Sequence, residues 1–284
     1  MMLALRNAHP RDARIQFVDT ERTLPNGRTY EEHYYVIDGV EYRNCSVSTL
    51  QKDYFPNTFD AVKASRGNVE LQQKWETENR ETVYFGKMHH THFENYFNGL
   101  PFQPNPRYPE ITSYETVPGW DYFLEFLAQL PDYWEPFRTE WFIFSKEASL
   151  PGAIDLTLRD RRYPDKLVLA VCDYKVKKEP TKLPWCECGH WGALTAAEHH
   201  ETCPAVGAKP ASRHILRRKC DVDAVQVCIY ARILEDLYDA TVTDRIIIYL
   251  HPNYPLYIHH VDAKEYDILV DDMINSRVKP TSDS

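Results

Sequence analysis

The sequence feature that most restricts the fold is a pair of apolar segments separated by the turn Tyr163-Pro164-Asp165. Residues 153–158 alternate aliphatic side chains with small or polar ones, the period-2 pattern of a strand with one buried face. Residues 167–172 form a continuous apolar run, which is typical of a strand in the middle of a sheet. Together they predict a hairpin centred on Pro164, so the remaining elements have to be arranged around a sheet.

The predicted hairpin brings two carboxylates together. Asp155 lies nine residues before Pro164 and Asp173 nine residues after it, so the two are directly opposed, with Cβ atoms about 5 Å apart. Lys175 shares the face of Asp173, since side chains in a strand repeat every second residue. Like charges this close repel each other, and a divalent cation with oxygen ligands relieves that repulsion. The pattern predicts a Mg²⁺ or Mn²⁺ site, and the alternative is a surface hairpin with an exposed ion pair.

The order of the motifs resembles the PD-(D/E)XK nuclease superfamily. Gly152-x-x-Asp155 followed by Asp173-x-Lys175 is similar to its signature. Gln226 and Tyr230 stand four residues apart on a predicted helix, where they share a face, and resemble the QxxxY motif of the RecB-like branch.

Three upstream segments resemble the same branch. Residues 86–94 match the pattern G-x-x-x-H-x-x-[IF]-E, in which the family's metal-binding histidine corresponds to His90. Residues 138–141 resemble the strand that carries a further glutamate, here Glu140. Residues 46–50 are similar to the opening motif of mitochondrial genome maintenance exonucleases and related nucleases of large DNA viruses.

Over residues 45–260 the resemblance implies an α/β fold with a restriction-endonuclease-like core, a central mixed β-sheet flanked by helices. It implies a metal-dependent deoxyribonuclease that uses Mg²⁺ or Mn²⁺, an exonuclease acting on DNA ends or single strands in replication, repair or recombination. The catalytic residues implied are Asp155, Asp173, Lys175, Glu140, Gln226 and Tyr230. The metal ligands implied are His90, Asp155, Asp173 and the carbonyl of Tyr174.

Other interpretations of these residues stay open at the level of sequence. His89 or His92 could replace His90, and Glu140 could pair with Arg138 at the surface. At the level of the whole chain, one rival is a nuclease-fold scaffold or nucleic-acid-binding protein that has no turnover and is stabilised by zinc. The other is a zinc hydrolase built on His89, His90 and His92, which lacks the carboxylate–water geometry that such chemistry requires and ranks last.

The stretch between Lys175 and Gln226 departs from the family pattern. It contains thiols and imidazoles at spacings that suit tetrahedral Zn²⁺, and it predicts a small structural zinc-binding insert at residues 183–210. The predicted ligands are Cys186, Cys188, His199 and Cys203. His190 or His200 could complete the shell instead, and free thiols or a disulfide are the alternatives.

Charge is distributed unevenly along the chain. The formal net charge is −9, yet basic residues cluster on both sides of the predicted site. The predicted nucleic-acid contacts are Arg161, Arg162, Lys177, Lys178, Arg213, Arg217 and Arg218. No apolar run has membrane-spanning length and the first residues do not form a secretory signal, so we expect an intracellular protein, in the cytoplasm or nucleus, of a host cell if it is viral.

The predicted organisation is an N-terminal extension at residues 1–44, a nuclease domain at 45–278 and a disordered tail at 279–284. The extension contains a predicted hairpin from Glu32 to Tyr42 that turns at Asp38-Gly39. Helices are predicted at 47–65, 68–99, 120–130, 222–237 and 263–277. Strands are predicted to begin at Glu135, Gly152 and Lys166 and to occupy 245–250 and 255–260.

Overall fold

A computed structural model describes residues 2–23, 29–55, 61–176, 219–251 and 254–278. These residues form a mixed α/β structure with two sheets. The strands are β1 (Ile15–Thr23), β2 (Thr29–Ile37), β3 (Val40–Tyr42), β4 (Trp134–Ser145), β5 (Leu150–Asp160), β6 (Leu167–Val176), β7 (Ala240–His251) and β8 (Tyr254–His260). The helices are α1 (Leu3–Arg6), α2 (Val47–Tyr54), α3 (Ala61–Ala64), α4 (Val69–Phe97), α5 (Trp120–Gln129), α6 (Lys219–Leu237) and α7 (Asp267–Asn275).

The larger sheet has the strand order β4-β5-β6-β7-β8 and is parallel only between β6 and β7. The predicted hairpin is confirmed, because Leu156 pairs with Cys172 and Thr157 with Val171, which centres the register on Pro164. Strand β6 occupies the middle of the sheet, as its continuous apolar run predicted.

Helices cover the two faces of this sheet. Alternate residues of β6 divide between two cores, with Leu169 and Val171 on the side of α2, α6 and α7. Ala170 and Cys172 belong to the opposite core, which α4 and α5 complete. This division places α6 and α4 on opposite sides of the strand that carries Asp173 and Lys175.

The smaller sheet contains the predicted hairpin and a strand that the sequence did not reveal. Asp38 and Gly39 both have positive φ angles, 51° and 80°, and join β2 to β3 at the predicted turn. Strand β1 pairs with β2 along nine residues, yet Ile15 is its one buried residue. Because the strand has no buried face, its sequence does not alternate apolar with polar residues. The sheet contacts β4 through Phe17, whose ring stacks on Phe142.

The main departure from the predicted helices is at residues 47–65. The segment predicted as one helix at 47–65 contains α2 and the separate α3. Pro56 disfavours the helical conformation for the residue before it, which agrees with α2 ending at Tyr54. Helix α4 is continuous through Gly86 and begins after Asn68, whose side chain accepts a hydrogen bond from the Leu71 amide.

Candidate metal centre and the residues around it

Three side chains from three elements converge next to the end of the β5–β6 pairing that is far from the Pro164 turn. His90 comes from α4, Glu140 from β4 and Asp155 from β5. His90 Nδ1 lies 3.6 Å from Glu140 Oε1 and 3.5 Å from Asp155 Oδ1, and one potential ligand atom from each residue lies within 4.8 Å of the others. One imidazole and two carboxylates form a donor set that suits Mn²⁺ or Mg²⁺.

The backbone around this trio is distorted. Glu140 has a φ of 43°, in the left-handed region that a glutamate rarely adopts. On the neighbouring strand, Ile154 belongs to the α6 core whereas Leu156 belongs to the α4 core, so the strand changes face between them. The predicted simple alternation is therefore wrong at Asp155, because a regular strand would keep Ile154 and Leu156 on one face. The distortion brings both carboxylates to His90.

The two hairpin carboxylates have different environments. Asp155 Oδ2 accepts a hydrogen bond of 2.8 Å from the Tyr174 amide. Burial opposes ionisation of Asp155, but the charges of His90 and Lys175 together with that hydrogen bond hold its pKa below the usual value. Burial raises the pKa of Asp173 to about 7, and the nearby Asp155 contributes to the increase. Asp173 lies outside the three-ligand group.

Lys175 connects Asp173 to helix α6. Its Nζ lies 2.5 Å from Asp173 Oδ2 as an ion pair and donates a hydrogen bond of 3.2 Å to Gln226 Oε1. Gln226 Nε2 in turn donates to Tyr230 Oη at 3.0 Å. Burial lowers the pKa of Lys175, but Asp173, Asp223 and Asp155 outweigh burial and raise it above the usual value. The lysine therefore stays charged, with its ammonium held in one direction.

Gly152 has a local packing role in this arrangement. A Cβ atom at this position would lie 2.5 Å from Tyr230 Cε1 and 3.1 Å from Val47 Cγ2. No side chain larger than hydrogen fits while the Tyr230 ring, which is 4% exposed, stays in place. The glycine of Gly-x-x-Asp thus allows the tyrosine to pack beneath the strand that carries Asp155.

The other two histidines of α4 have different surroundings. His89 contacts the carbonyl oxygens of Phe85 and Pro118 through its two ring nitrogens. His92 is buried and stacks on Phe102 at a centroid distance of 4.7 Å. Neither belongs to the group around Asp155, so the three-histidine arrangement does not form.

Arg138 does not pair with Glu140 as the alternative required. Its guanidinium lies 2.7 Å from Asp12 Oδ2 and also donates to the Asn7 carbonyl. The Trp141 indole donates to the other Asp12 oxygen at 3.0 Å. Asp12 is therefore the carboxylate that pairs with the arginine, and Glu140 remains beside His90.

Two of the predicted nucleic-acid contacts, Arg161 and Arg162, lie within the described residues. Arg161 and Arg162 lie at the turn of the β5–β6 hairpin, about 20 Å along the strand from Asp155, rather than beside it. Arg162 is paired with Asp160 and lies 3.5 Å over the Tyr133 ring. Lys177, Lys178, Arg213, Arg217 and Arg218 lie outside the described residues, as do the predicted zinc ligands Cys186, Cys188, His199 and Cys203 and the tail at 279–284.

A cleft of about 940 Å³ adjoins the trio, and the sequence did not predict it. Its walls come from β1, β2, α4 and β4, and both His90 and Glu140 line it. Phe17, His33, Tyr35 and Phe142 supply aromatic rings to the same lining. The local signal was the two-residue spacing of His33 and Tyr35 in β2, but the position of their rings depends on how the two sheets pack.

Comparisons with known proteins find similarity among solved structures only. No protein-family model matches this chain, and no curated protein matches it. Among solved structures, the chain is similar to a "Putative exonuclease" from Eubacterium rectale, with 17% sequence identity and a TM-score of 0.43 over 82% of each chain. In the described ranges, no helix has both the length and the apolar character needed to cross a membrane.

Proposed function

We propose that this chain is a metal-dependent DNA nuclease that hydrolyses phosphodiester bonds. The observation that carries the proposal is the position of Asp155 between two groups. One of its carboxylate oxygens faces His90, beside Glu140, and the other accepts the Tyr174 amide next to the Asp173–Lys175 ion pair. A trio that could hold a metal and a fixed ammonium therefore adjoin each other, an arrangement suited to hydrolysis of a phosphodiester.

The proposed roles follow from these contacts. His90, Glu140 and Asp155 would hold Mg²⁺ or Mn²⁺, with Asp173 and the Tyr174 carbonyl as further proposed ligands. The ion, when bound, polarises a phosphoryl oxygen and lowers the pKa of a bound water.

Lys175 orients the attacking water and stabilises negative charge that develops on the phosphate. Gln226 and Tyr230 keep the lysine in place, because the lysine donates to the glutamine and the glutamine donates to the tyrosine. Asp173 compensates the buried ammonium and limits its movement.

The test is cleavage of linear and circular single-stranded DNA in Mg²⁺, Mn²⁺ or EDTA. We expect metal-dependent degradation of the linear strand, and resistance of the circle would identify an exonuclease. His90→Gln and Glu140→Gln should each abolish cleavage, whereas the matched Glu147→Gln change at an exposed turn should leave it unchanged. Cleavage of neither substrate by a folded protein would favour the alternative, a nuclease-fold protein that binds nucleic acid without turnover.

We also propose that residues 183–210 hold one structural Zn²⁺ independent of the catalytic metal. Three thiolates and an imidazole, from Cys186, Cys188, Cys203 and His199, suit zinc and are a poor match for Mg²⁺. Elemental analysis of protein purified under reducing conditions without chelator should give one zinc per chain, and Cys203→Ser should lose it. Absence of zinc from the unmodified protein would contradict this assignment.

A further inference from the structure

The cleft beside the metal-binding trio contains a row of stacked aromatic rings. Phe17 lies between Phe142 and His33, with centroid distances of 5.6 and 5.8 Å and interplanar angles of 22° and 17°. Rings in van der Waals contact face to face are only about 3.5 to 4 Å apart, so these rings are displaced sideways. Displacement leaves part of each face uncovered, and Phe17 is 39% exposed although it is a large apolar side chain.

The row of rings is continuous with the candidate metal centre. Phe142 follows Glu140 by two residues on β4, a backbone separation of about 7 Å. Glu140 and His90 line the same cleft as Phe17, His33 and Phe142. A group that occupies the cleft is therefore directly adjacent to the atoms that would bind a phosphate through the metal.

The charges in the cleft favour a neutral occupant. Three carboxylates, from Asp19, Glu94 and Glu140, line the cleft together with the cations Lys87 and Arg138, so the lining does not supply the excess of positive charge that a second phosphate would need. The lining arginine, Arg138, is already paired with Asp12. His33 is itself paired with Asp19 at 3.0 Å. A flat, uncharged group with an aromatic face matches these surroundings better than a phosphate does.

We propose that Phe17, His33 and Phe142 form a stacking subsite for an unpaired nucleobase next to the phosphate that is cleaved. This inference rests on the proposed nuclease function and specifies its substrate as single-stranded nucleic acid. Bases within a duplex are already stacked on their neighbours, so they cannot lie on these rings without unpairing. Stacking on an aromatic ring accepts any base, so the subsite would select single strands without reading sequence.

The direct test measures binding in EDTA, so that cleavage does not interfere. A labelled 12-nucleotide oligothymidylate is compared by fluorescence anisotropy with an abasic strand of the same length. The abasic strand has the same phosphates but no bases. We expect the unmodified protein to bind oligothymidylate more tightly by about fivefold or more, since stacking contributes roughly 5- to 150-fold per base. Equal affinities for the two strands would overturn the proposal.

Substitutions at Phe17 locate the effect. Phe17→Leu keeps an apolar side chain but removes the ring, and it should weaken oligothymidylate binding by about fivefold or more. Phe17→Tyr keeps the ring and should restore the affinity to within about twofold of the unmodified protein. The matched control is Tyr163→Leu, because Tyr163 is an aromatic residue, 46% exposed, at the distant turn of the β5–β6 hairpin. An equal loss for Phe17→Leu and Tyr163→Leu, or none for either, would contradict the subsite.

Salt dependence separates stacking from contact with phosphate. Loss of a stacking ring should lower the affinity for oligothymidylate by the same factor at 50 and 200 mM salt, because stacking of a base on a ring releases no counterions. The slope of log affinity against log salt should therefore be unchanged in Phe17→Leu, and a reduced slope would mean that Phe17 acts through the phosphates.

The outcomes also separate this inference from the nuclease proposal. If the unmodified protein binds through Phe17 yet cleaves no DNA, the subsite stands and the nuclease proposal fails. If it cleaves DNA but Phe17→Leu keeps the same affinity and the same KM, the nuclease proposal stands and the subsite is wrong.

Discussion

Gly152→Ala tests whether the packing beneath the site controls the site itself. The new Cβ atom would be 2.5 Å from Tyr230 Cε1, more than 1 Å inside ordinary van der Waals contact. Tyr230 is 4% exposed and its hydroxyl is bonded to Gln226, so the ring has no free volume in which to withdraw.

The expected cost follows from this overlap. Overpacking a buried site costs about 1 to 3 kcal/mol, and the lower entropy of the unfolded chain offsets roughly 0.4 to 1 kcal/mol of that. We therefore expect a net loss of roughly 0 to 2.6 kcal/mol, centred on about 1.3 kcal/mol, in the free energy of unfolding, measured by urea denaturation. Cleavage should fall by up to about 100-fold, since displacing Tyr230 by about 1 Å moves Gln226 and Lys175 with it.

A double-mutant cycle isolates the clash. In a Tyr230→Ala background the ring is absent, so Gly152→Ala should cost about 1 kcal/mol less than in the native background. The matched control is Gly86→Ala in α4, where a Cβ atom would meet nothing within 4 Å. That change should stabilise by up to about 1 kcal/mol, because alanine is the better helix former. Strictly additive effects of the Gly152 and Tyr230 changes would refute this account.

Three further predictions concern the charged residues. Lys175→Met should still bind metal but lower the single-turnover rate by roughly 10²- to 10⁴-fold, and a near-normal rate with a reduced melting temperature would show a purely structural role. Asp173→Ala should abolish cleavage. The protein should still be folded in a thermal melt, because Gln226 and Asp223 remain as partners of Lys175. Full activity of this variant would exclude Asp173 from the site. Burial lowers the pKa of His90, but Asp155 and Glu140 outweigh it and raise the pKa well above the usual value, so a metal must displace a proton. Metal affinity should therefore fall by up to about tenfold per pH unit below that pKa. Calorimetry in two buffers should detect a proton released when the metal binds to the unmodified protein, and His90→Gln should not release it. A metal affinity that is independent of pH would contradict this prediction.

The hairpin could be predicted from the sequence because every signal that specifies it is local. The turn at Pro164 and the apolar runs beside it fix the register, and the paired residues extend as far as Leu156 and Cys172, one position short of the two aspartates. The pairing of Lys175 with Asp173 follows from the same two-residue period. Strand β1 could not be predicted in this way, since its partner β2 satisfies its backbone while its side chains remain mostly exposed.

The cleft could not be predicted from the sequence for a different reason. Its lining joins β1 and β2 to α4 and β4, segments that are far apart along the chain. Periodicity indicates which face of a strand is apolar, but it does not specify which other element meets that face. The choice among three histidines had the same limit, and packing decided it, because His89 contacts the Phe85 and Pro118 carbonyls and His92 stacks on Phe102.

Glu140 shows most clearly why the site has a geometry that no motif specifies. Its left-handed backbone costs about 1 to 2 kcal/mol for a residue other than glycine, and nothing in its side chain compensates that cost locally. Its neighbours hold the conformation, because Thr139 pairs with Leu156 and Trp141 pairs with Ile154 on either side of it. A relaxed strand at this point would keep Ile154 and Leu156 in one core and turn Glu140 or Asp155 away from His90. The strain at Glu140 and the change of face at Asp155 are therefore one distortion of two paired strands, and it sets two carboxylates against a single imidazole.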